Sequence, residues 1–180
     1  TFLLSGAALK QDGYYVGDKD FYERYTARFN GTHHASDALT FNASVAYVRT
    51  SANYFGRGNN TNGVLLPALR TAPEFDNRNY ETNGIHRTWR FPNPGPGQER
   101  FNRVFDNPFY VLNAGLTAPA QTDRTFGNLG FTWMPFTWLK IDEVLGADFN
   151  ADDRMEARPE QAGGSPSGGS ITRVQFNDRV

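Results

Sequence analysis

The stretch Arg124–Phe149, RTFGNLGFTWMPFTWLKIDEVLGADF, decides how this chain folds. It predicts two β-strands folded on a tight turn at Met134-Pro135-Phe136-Thr137. On the first strand Leu129, Phe131 and Trp133 fall on one side, with Phe126, Asn128, Gly130 and Thr132 on the other. On the second, Leu139, Ile141, Leu145, Ala147 and Phe149 share a side opposite Lys140, Asp142, Gly146 and Asp148. Successive strand side chains point to opposite faces, so the hairpin has one apolar and one mostly polar face. Trp133, Phe136 and Trp138 crowd its turn.

The same alternation recurs along the chain. Leu39, Phe41, Ala43, Val45 and Tyr47 are all apolar against Thr40, Asn42 and Ser44, a full period-2 match. Tyr25, Ala27 and Phe29 alternate with Arg24, Thr26, Arg28 and Asn30. Thr1–Gln11 is strand-like with blurred parity, because Phe2, Leu3 and Leu4 run together. Val174, Phe176 and Val180 alternate with Arg173, Gln175, Asn177 and Arg179. Strands are therefore expected near 1–11, 21–33, 39–49, 123–133, 138–150 and 171–180. Residues 50–122 form one long connection, with one or two helical turns over Val64–Leu69. Asp152-Asp153-Arg154 and the GGSPSGGS run at 163–170 form another loop. Short turns at 34–38 and 134–137 alternate with long connections. That asymmetry is the one expected of an up-and-down transmembrane β-barrel, whereas so long a loop is unusual inside a compact soluble domain.

Bulk composition bounds the alternatives. Aromatics are 14% of the 180 residues while hydrophobic residues are 38%, and mean hydropathy is −0.60, as for a barrel with a wet inner face and long loops. The net charge of −1 offers no basic field for nucleic acid. Cys is absent, which excludes a disulfide framework and thiolate metal sites. No run of about 18 apolar residues exists for a transmembrane helix, but a barrel strand needs only about 9–11 alternating residues. The chain begins and ends in mid-pattern and is expected to be an internal segment.

Arg24, Arg28, Arg124, Lys140, Asp142 and Asp148 all fall opposite the apolar positions, the segregation a lipid-facing surface demands. Glu143 is the exception, pointing outward unless a bulge near Asp142-Glu143 re-aims it or a neighbour shields it. Trp133, Phe136 and Trp138 at one rim, with Tyr47 and Tyr54 toward the other, suit interfacial girdles. A soluble antiparallel sheet with aromatic cross-strand pairs is the competing account of these residues.

Several landmarks resemble an internal barrel segment of SusC/RagA-type TonB-dependent outer-membrane transporters. They are Gln11-Asp12-Gly13 followed by Phe21, Arg24-Tyr25 and Arg28-Phe29-Asn30; Ala68-Leu69-Arg70-Thr71-Ala72-Pro73; and Asp106-Asn107-Pro108-Phe109-Tyr110 with Asn113. Asp123-Arg124, Gly127-Asn128, Trp138-Leu139-Lys140 and Gly146-Ala147-Asp148-Phe149 complete the series. The resemblance implies an all-β chain, about six antiparallel strands of a barrel of about 22 strands with a plugged lumen. It further implies uptake of oligosaccharides or peptides in the outer membrane of a Gram-negative bacterium. The implied partners are the TonB complex, acting through a plug domain and TonB box not found in these residues, and a SusD-like surface lipoprotein. The other classes consistent with the sequence are a non-transporting outer-membrane or surface β protein binding glycans or peptides, and a hydrolase whose catalytic part lies elsewhere.

No catalytic constellation and no cofactor motif is found. Asp148-Phe149-Asn150-Ala151-Asp152 has the first spacings of a calcium loop but Asp153 stands at the glycine position and Pro159 at the glutamate position. His33-His34 has no third ligand, His86 has no nucleophile motif beside it, and Gly56-Arg57-Gly58 lacks the context of a phosphate loop. The loop aromatics Tyr54, Phe55, Phe75, Tyr80, Trp89, Phe91, Phe105, Phe109 and Tyr110 lie among amides and guanidinium groups, suited to stacking on and hydrogen-bonding sugars or peptides. The expected ligand-contacting residues are Tyr54, Trp89, Phe109 and Tyr110 in the loop and Arg24, Arg28 and Asn128 along the lumen. Packing of the loop onto itself is the alternative role for its aromatics.

Overall fold

The computed structural model describes residues 1–54, 56, 62–97, 105–115, 117–163 and 169–180. Phe55, Arg57, Gly58 and residues 164–168 of the glycine-serine run lie outside the described residues. Six long strands, β1 (Phe2–Asp12), β2 (Phe21–Ser36), β3 (Leu39–Asn53), β6 (Pro119–Phe136), β7 (Leu139–Arg158) and β8 (Ser170–Arg179), form one antiparallel sheet in the order β1-β2-β3-β6-β7-β8. The sheet is open, with β1 and β8 at its edges. Between β3 and β6 lie the short helices α1 (Leu65–Arg70) and α2 (Pro108–Asn113) and a small hairpin, β4 (Glu81–Thr82) with β5 (Ile85–His86).

The registers line up residues in rows across the sheet. From the short-turn end one face reads Leu39–Trp133–Ile141, His33–Phe41–Phe131–Glu143, Phe2–Gly31–Ala43–Leu129–Leu145 and Leu4–Phe29–Val45–Gly127–Ala147. The next row, Gly6–Ala27–Tyr47–Thr125–Phe149–Arg179, brings in β8. Tyr47 is eight residues from Leu39, so the apolar band runs about 26 Å along the strands at about 3.3 Å per residue; strands tilted by about 40°, as in a membrane barrel, would make it about 20 Å tall. Among the described residues nothing packs against it: Leu4, Leu129 and Leu145 are well exposed. Gly127 belongs to the band because β3 passes close behind it; a Cβ there would stand 3.0 Å from the Val45 Cα and closer still to the Ser44 carbonyl oxygen.

Beyond Tyr47 the same face turns polar. Its next rows are Ala8–Tyr25–Arg49–Asp123–Ala151–Asn177 and Lys10–Glu23–Ser51–Gln121–Asp153–Gln175. Lys10 pairs with Glu23 at 3.0 Å, Arg49 Nη2 donates to Gln121 at 2.7 Å, and Arg173 Nε donates to Asp153 at 2.9 Å. The hydroxyls of Tyr25 and Tyr47 donate to Glu23 and Asp123, so both tyrosines point their polar ends out of the apolar band.

Several expectations need correction. Asp152-Asp153-Arg154 is strand, because β7 continues to Arg158, and the supposed 50–122 loop loses its ends to β3 and β6. Pairing runs to Phe136, leaving Thr137-Trp138 as the turn, with the register shift at Trp133/Phe136. A matching shift at His34/Ser36 precedes the Asp37-Ala38 turn. No shift occurs at Asp142-Glu143, so Glu143 stays on the apolar face directly opposite Phe131. Tyr54 follows β3 with the opposite parity to Tyr47; the aromatic that accompanies Tyr47 at the upper rim is Tyr25. Val174 and Phe176 face the polar side, opposite Arg154 and Asp152.

Candidate functional site

The chain's buried core lies in the connections. The described residues of the connections 13–20, 54–118 and 159–169 leave the sheet at one end and fold into a single cap. Val64, Val111 and Leu112 form its hydrophobic centre, with Tyr15 packed against them. Asn107 caps α2 through Oδ1, which accepts from the Phe109 N–H at 2.9 Å, and Pro108 occupies the first turn, where its missing N–H costs nothing. At the other end Lys19 Nζ donates to the carbonyls of Val111 (3.3 Å) and Gly115 (3.2 Å). Partial burial holds the Lys19 amine below its usual pKa. Asn53 joins the cap to the sheet, donating to the Lys19 carbonyl (3.0 Å) and accepting from Ala118 N–H (2.8 Å).

His86 is the centre of the cap. Fully buried, it stacks on Tyr110 with ring centroids 3.7 Å apart. Nε2 accepts from the Asn107 N–H at 3.1 Å, so the ring proton sits on Nδ1, 3.0 Å from the Gln161 carbonyl. The Asp106 carboxylate lies 3.6 Å from the same Nδ1 and accepts the Gly163 N–H. This His–Asp pair is a buried joint, with Nε2 of the ring accepting from backbone. The partners of the His86 side chain, namely Asn107, Asp106 and Gln161, are distant from it in sequence. Two local signals would have located parts of the cap, Asn107-Pro108 for α2 and Asn83-Gly84, both at positive φ, for the β4–β5 turn.

The expected ligand residues separate into three groups. Tyr110 is 4% exposed and its ring packs the cap. Trp89, under the Arg90 guanidinium at 4.9 Å, and Phe109 are half-buried on the cap. Tyr54, Arg24, Arg28 and Asn128 all open toward the polar face of the sheet.

That face carries a graded set of polar groups. Arg124 Nε donates to Asp148 at 2.9 Å, Lys140 pairs with Asp142 at 2.9 Å, and Arg154 with Asp152 at 2.7 Å. Thr132 donates to Asp142 and Ser44 to Asn30. Asp148, Asn150 and Asp152 therefore lie on an extended strand, two of the three held by arginines, which rules out a calcium loop there. Among the described residues no cluster of His, Asp and Glu is placed to hold a metal ion. Where this face meets the cap, Tyr54, Ala118, Arg154, Glu156, Thr172, Val174 and Phe176 line an open trough of about 470 Å³. Ala118 leaves its floor low while Tyr54 and Phe176, each more than half exposed, stand at its sides. Sequence reasoning found Tyr54 but missed Phe176 and Arg154, which reach the trough only through the β7–β8 register. The arrangement can stack on and hydrogen-bond a solute.

No protein-family model matches the chain, and no curated protein matches it.

Proposed function

We propose that this chain is a section of the wall of an outer-membrane β-barrel transporter, similar in kind to the SusC/RagA-type TonB-dependent transporters. The observation that carries this reading is the reversal of polarity at the level of Tyr25 and Tyr47. Below it, one face of the sheet is apolar for about 20 Å and the other is polar. Above it, the formerly apolar face bears Lys10, Glu23, Arg49, Asp123, Asp153 and Arg173, while Tyr54, Val174 and Phe176 appear on the other. A soluble sheet covered by a second layer has no reason to change sides at one level across all its strands. A sheet leaving a membrane does, because lipid ends there.

In this reading the cap is external and the turns Asp37-Ala38 and Thr137-Trp138 are periplasmic. Phe136 and Trp138, stacked 5.6 Å apart, lie with Trp133 at the inner rim. A solute, an oligosaccharide or peptide, is captured at the mouth near Tyr54 and passes along the polar face. Energy is coupled from the TonB complex through a plug, and a SusD-like lipoprotein covers the mouth. Deleting the gene is expected to abolish energised uptake of at least one solute in a panel of labelled oligosaccharides and peptides, with the protein recovered in the outer-membrane fraction. Recovery in the soluble fraction would refute the reading; outer-membrane recovery with unchanged uptake would favour a non-transporting surface protein.

A further inference from the structure

We propose that the β1–β3 sector of the polar face is an anion track, in which Arg24 and Arg28 bind carboxylate, sulfate or phosphate groups of the solute. The inference rests on the transporter reading and adds to it the charge class of what is carried.

The evidence is a division of the polar face into two sectors. On β6 and β7 each lysine or arginine of this face has a carboxylate at hand: Arg124 with Asp148, Lys140 with Asp142, Arg154 with Asp152 at 2.7 Å, and Arg158 with Glu156 at 2.6 Å. On β1–β3 the same face holds no acidic residue. Its rows there are His34–Thr40, Thr32–Asn42, Leu3–Asn30–Ser44, Ser5–Arg28–Ala46, Ala7–Thr26–Val48, Leu9–Arg24–Thr50 and Gln11–Tyr22–Ala52. Arg24 and Arg28 are exposed, and among the described residues neither forms an ion pair or hydrogen bond through its side chain. The nearest acids in their own rows, Asp152 and Asp148, stand three strand spacings away, about 14 Å, and are already held by Arg154 and Arg124.

Geometry makes the pair a track. Arg24 and Arg28 are four residues apart on one strand and one face, so their side chains are set about 13 Å apart along the strand, about 10 Å along the direction of passage at a tilt of about 40°. Small neighbours, Ser5 and Ala46 beside Arg28 and Thr26 between the two, leave both guanidinium groups open to the lumen. A guanidinium presents a planar fork of donors that matches carboxylate, sulfate and phosphate oxygens two at a time. Unpaired cations on a wall facing a confined aqueous space raise the local concentration of anions. An anion can thus leave one arginine for the next without a carboxylate competing for either.

The test uses the whole protein, purified in detergent, with three probes: tetragalacturonate, its neutral methyl ester and a tetraglutamate peptide. The first two share one sugar backbone, the ester replacing each carboxylate by a neutral methyl ester; the third separates an anionic sugar from an anionic peptide. The expected result is that wild type binds at least one of the two anions more tightly than the ester. The R24Q/R28Q variant loses at least tenfold in that affinity, and each single variant loses about threefold. K10Q, which removes a cation from the opposite face, leaves it unchanged. Higher salt weakens wild-type binding more steeply than that of the double variant. Failure of wild type to prefer either anion overturns the proposal, as does a double variant that binds anions as well as wild type. Correct folding of the double variant is checked by its heat-modifiable migration; if it misfolds, the single variants decide. A protein that carries neutral solutes in the outer membrane but fails this test loses the anion track and keeps the transporter reading.

Discussion

Replacing Leu129 by Arg separates a lipid-facing surface from a water-facing one. Leu129 sits in the middle row of the apolar face, four residues from Trp133 and four from Thr125. At about 3.3 Å per residue and about 40° of tilt, it lies about 10 Å below either rim, the centre of the band. Against lipid an arginine there would cost about 2–4 kcal/mol, or about 30- to 900-fold in the folding equilibrium. On an exposed face in water the same change stays within about 0.5 kcal/mol, since Leu129 has little packing to lose. Asn128→Arg, one residue away on the polar face, is the control, with an expected effect under about 1 kcal/mol. The assay is urea unfolding of the whole protein refolded into phospholipid vesicles, followed by heat-modifiable migration. Equal costs for the two variants would refute the assignment of faces, and a cost confined to Asn128→Arg would reverse it.

Further substitutions test the joints of the structure. Gly127→Ala pushes a Cβ against the β3 backbone at Ser44 and Val45, and should cost about 1–3 kcal/mol, seen in the same titration. His86→Phe keeps the stack on Tyr110 but strands the buried Asn107 N–H and Gln161 carbonyl, worth about 1–3 kcal/mol each. Proteolysis should then open the cap while the sheet keeps its resistance. Lys19 has a folded-state pKa lowered by burial, so its unfolded form binds the proton more tightly. The cap should therefore gain stability as pH rises from the lowered value to the ordinary 10.5, and Lys19→Met should remove that rise. Protection of the cap from proteolysis across this range is the readout.

The sheet was legible in the sequence to the extent that period-2 alternation holds. Leu39–Val48 and the Arg124–Phe149 hairpin carry it almost without fault, and the structure pairs them as neighbours. The strand ends were not legible, because above the apolar band alternation gives way to Asp-Asp-Arg, which has the composition of a loop. There strand pairing is supported by ion pairs such as Arg173–Asp153 instead of apolar contacts. The same change hid the trough, since Phe176 continues an apolar alternation in the sequence while the β7–β8 register sets it on the polar face opposite Asp152; a shift of one residue would reverse it. The cap was illegible for a different reason. Its centre joins His86 to Asn107 and Gln161, contacts across long stretches of chain that no local period encodes. Glu143 was recognised as the misfit, and the structure offers no bulge to remove it.

The most direct test of the central claim is the sidedness of the cap and the turns in intact cells. These 180 residues contain no cysteine, so Leu69→Cys in exposed α1 and Thr137→Cys in the β6–β7 turn, each read against the unsubstituted protein, report independently through a membrane-impermeant maleimide. The account predicts prompt labelling of Cys at 69 and labelling of Cys at 137 only after the outer membrane is permeabilised. Labelling of both in intact cells, or of 137 alone, would contradict it.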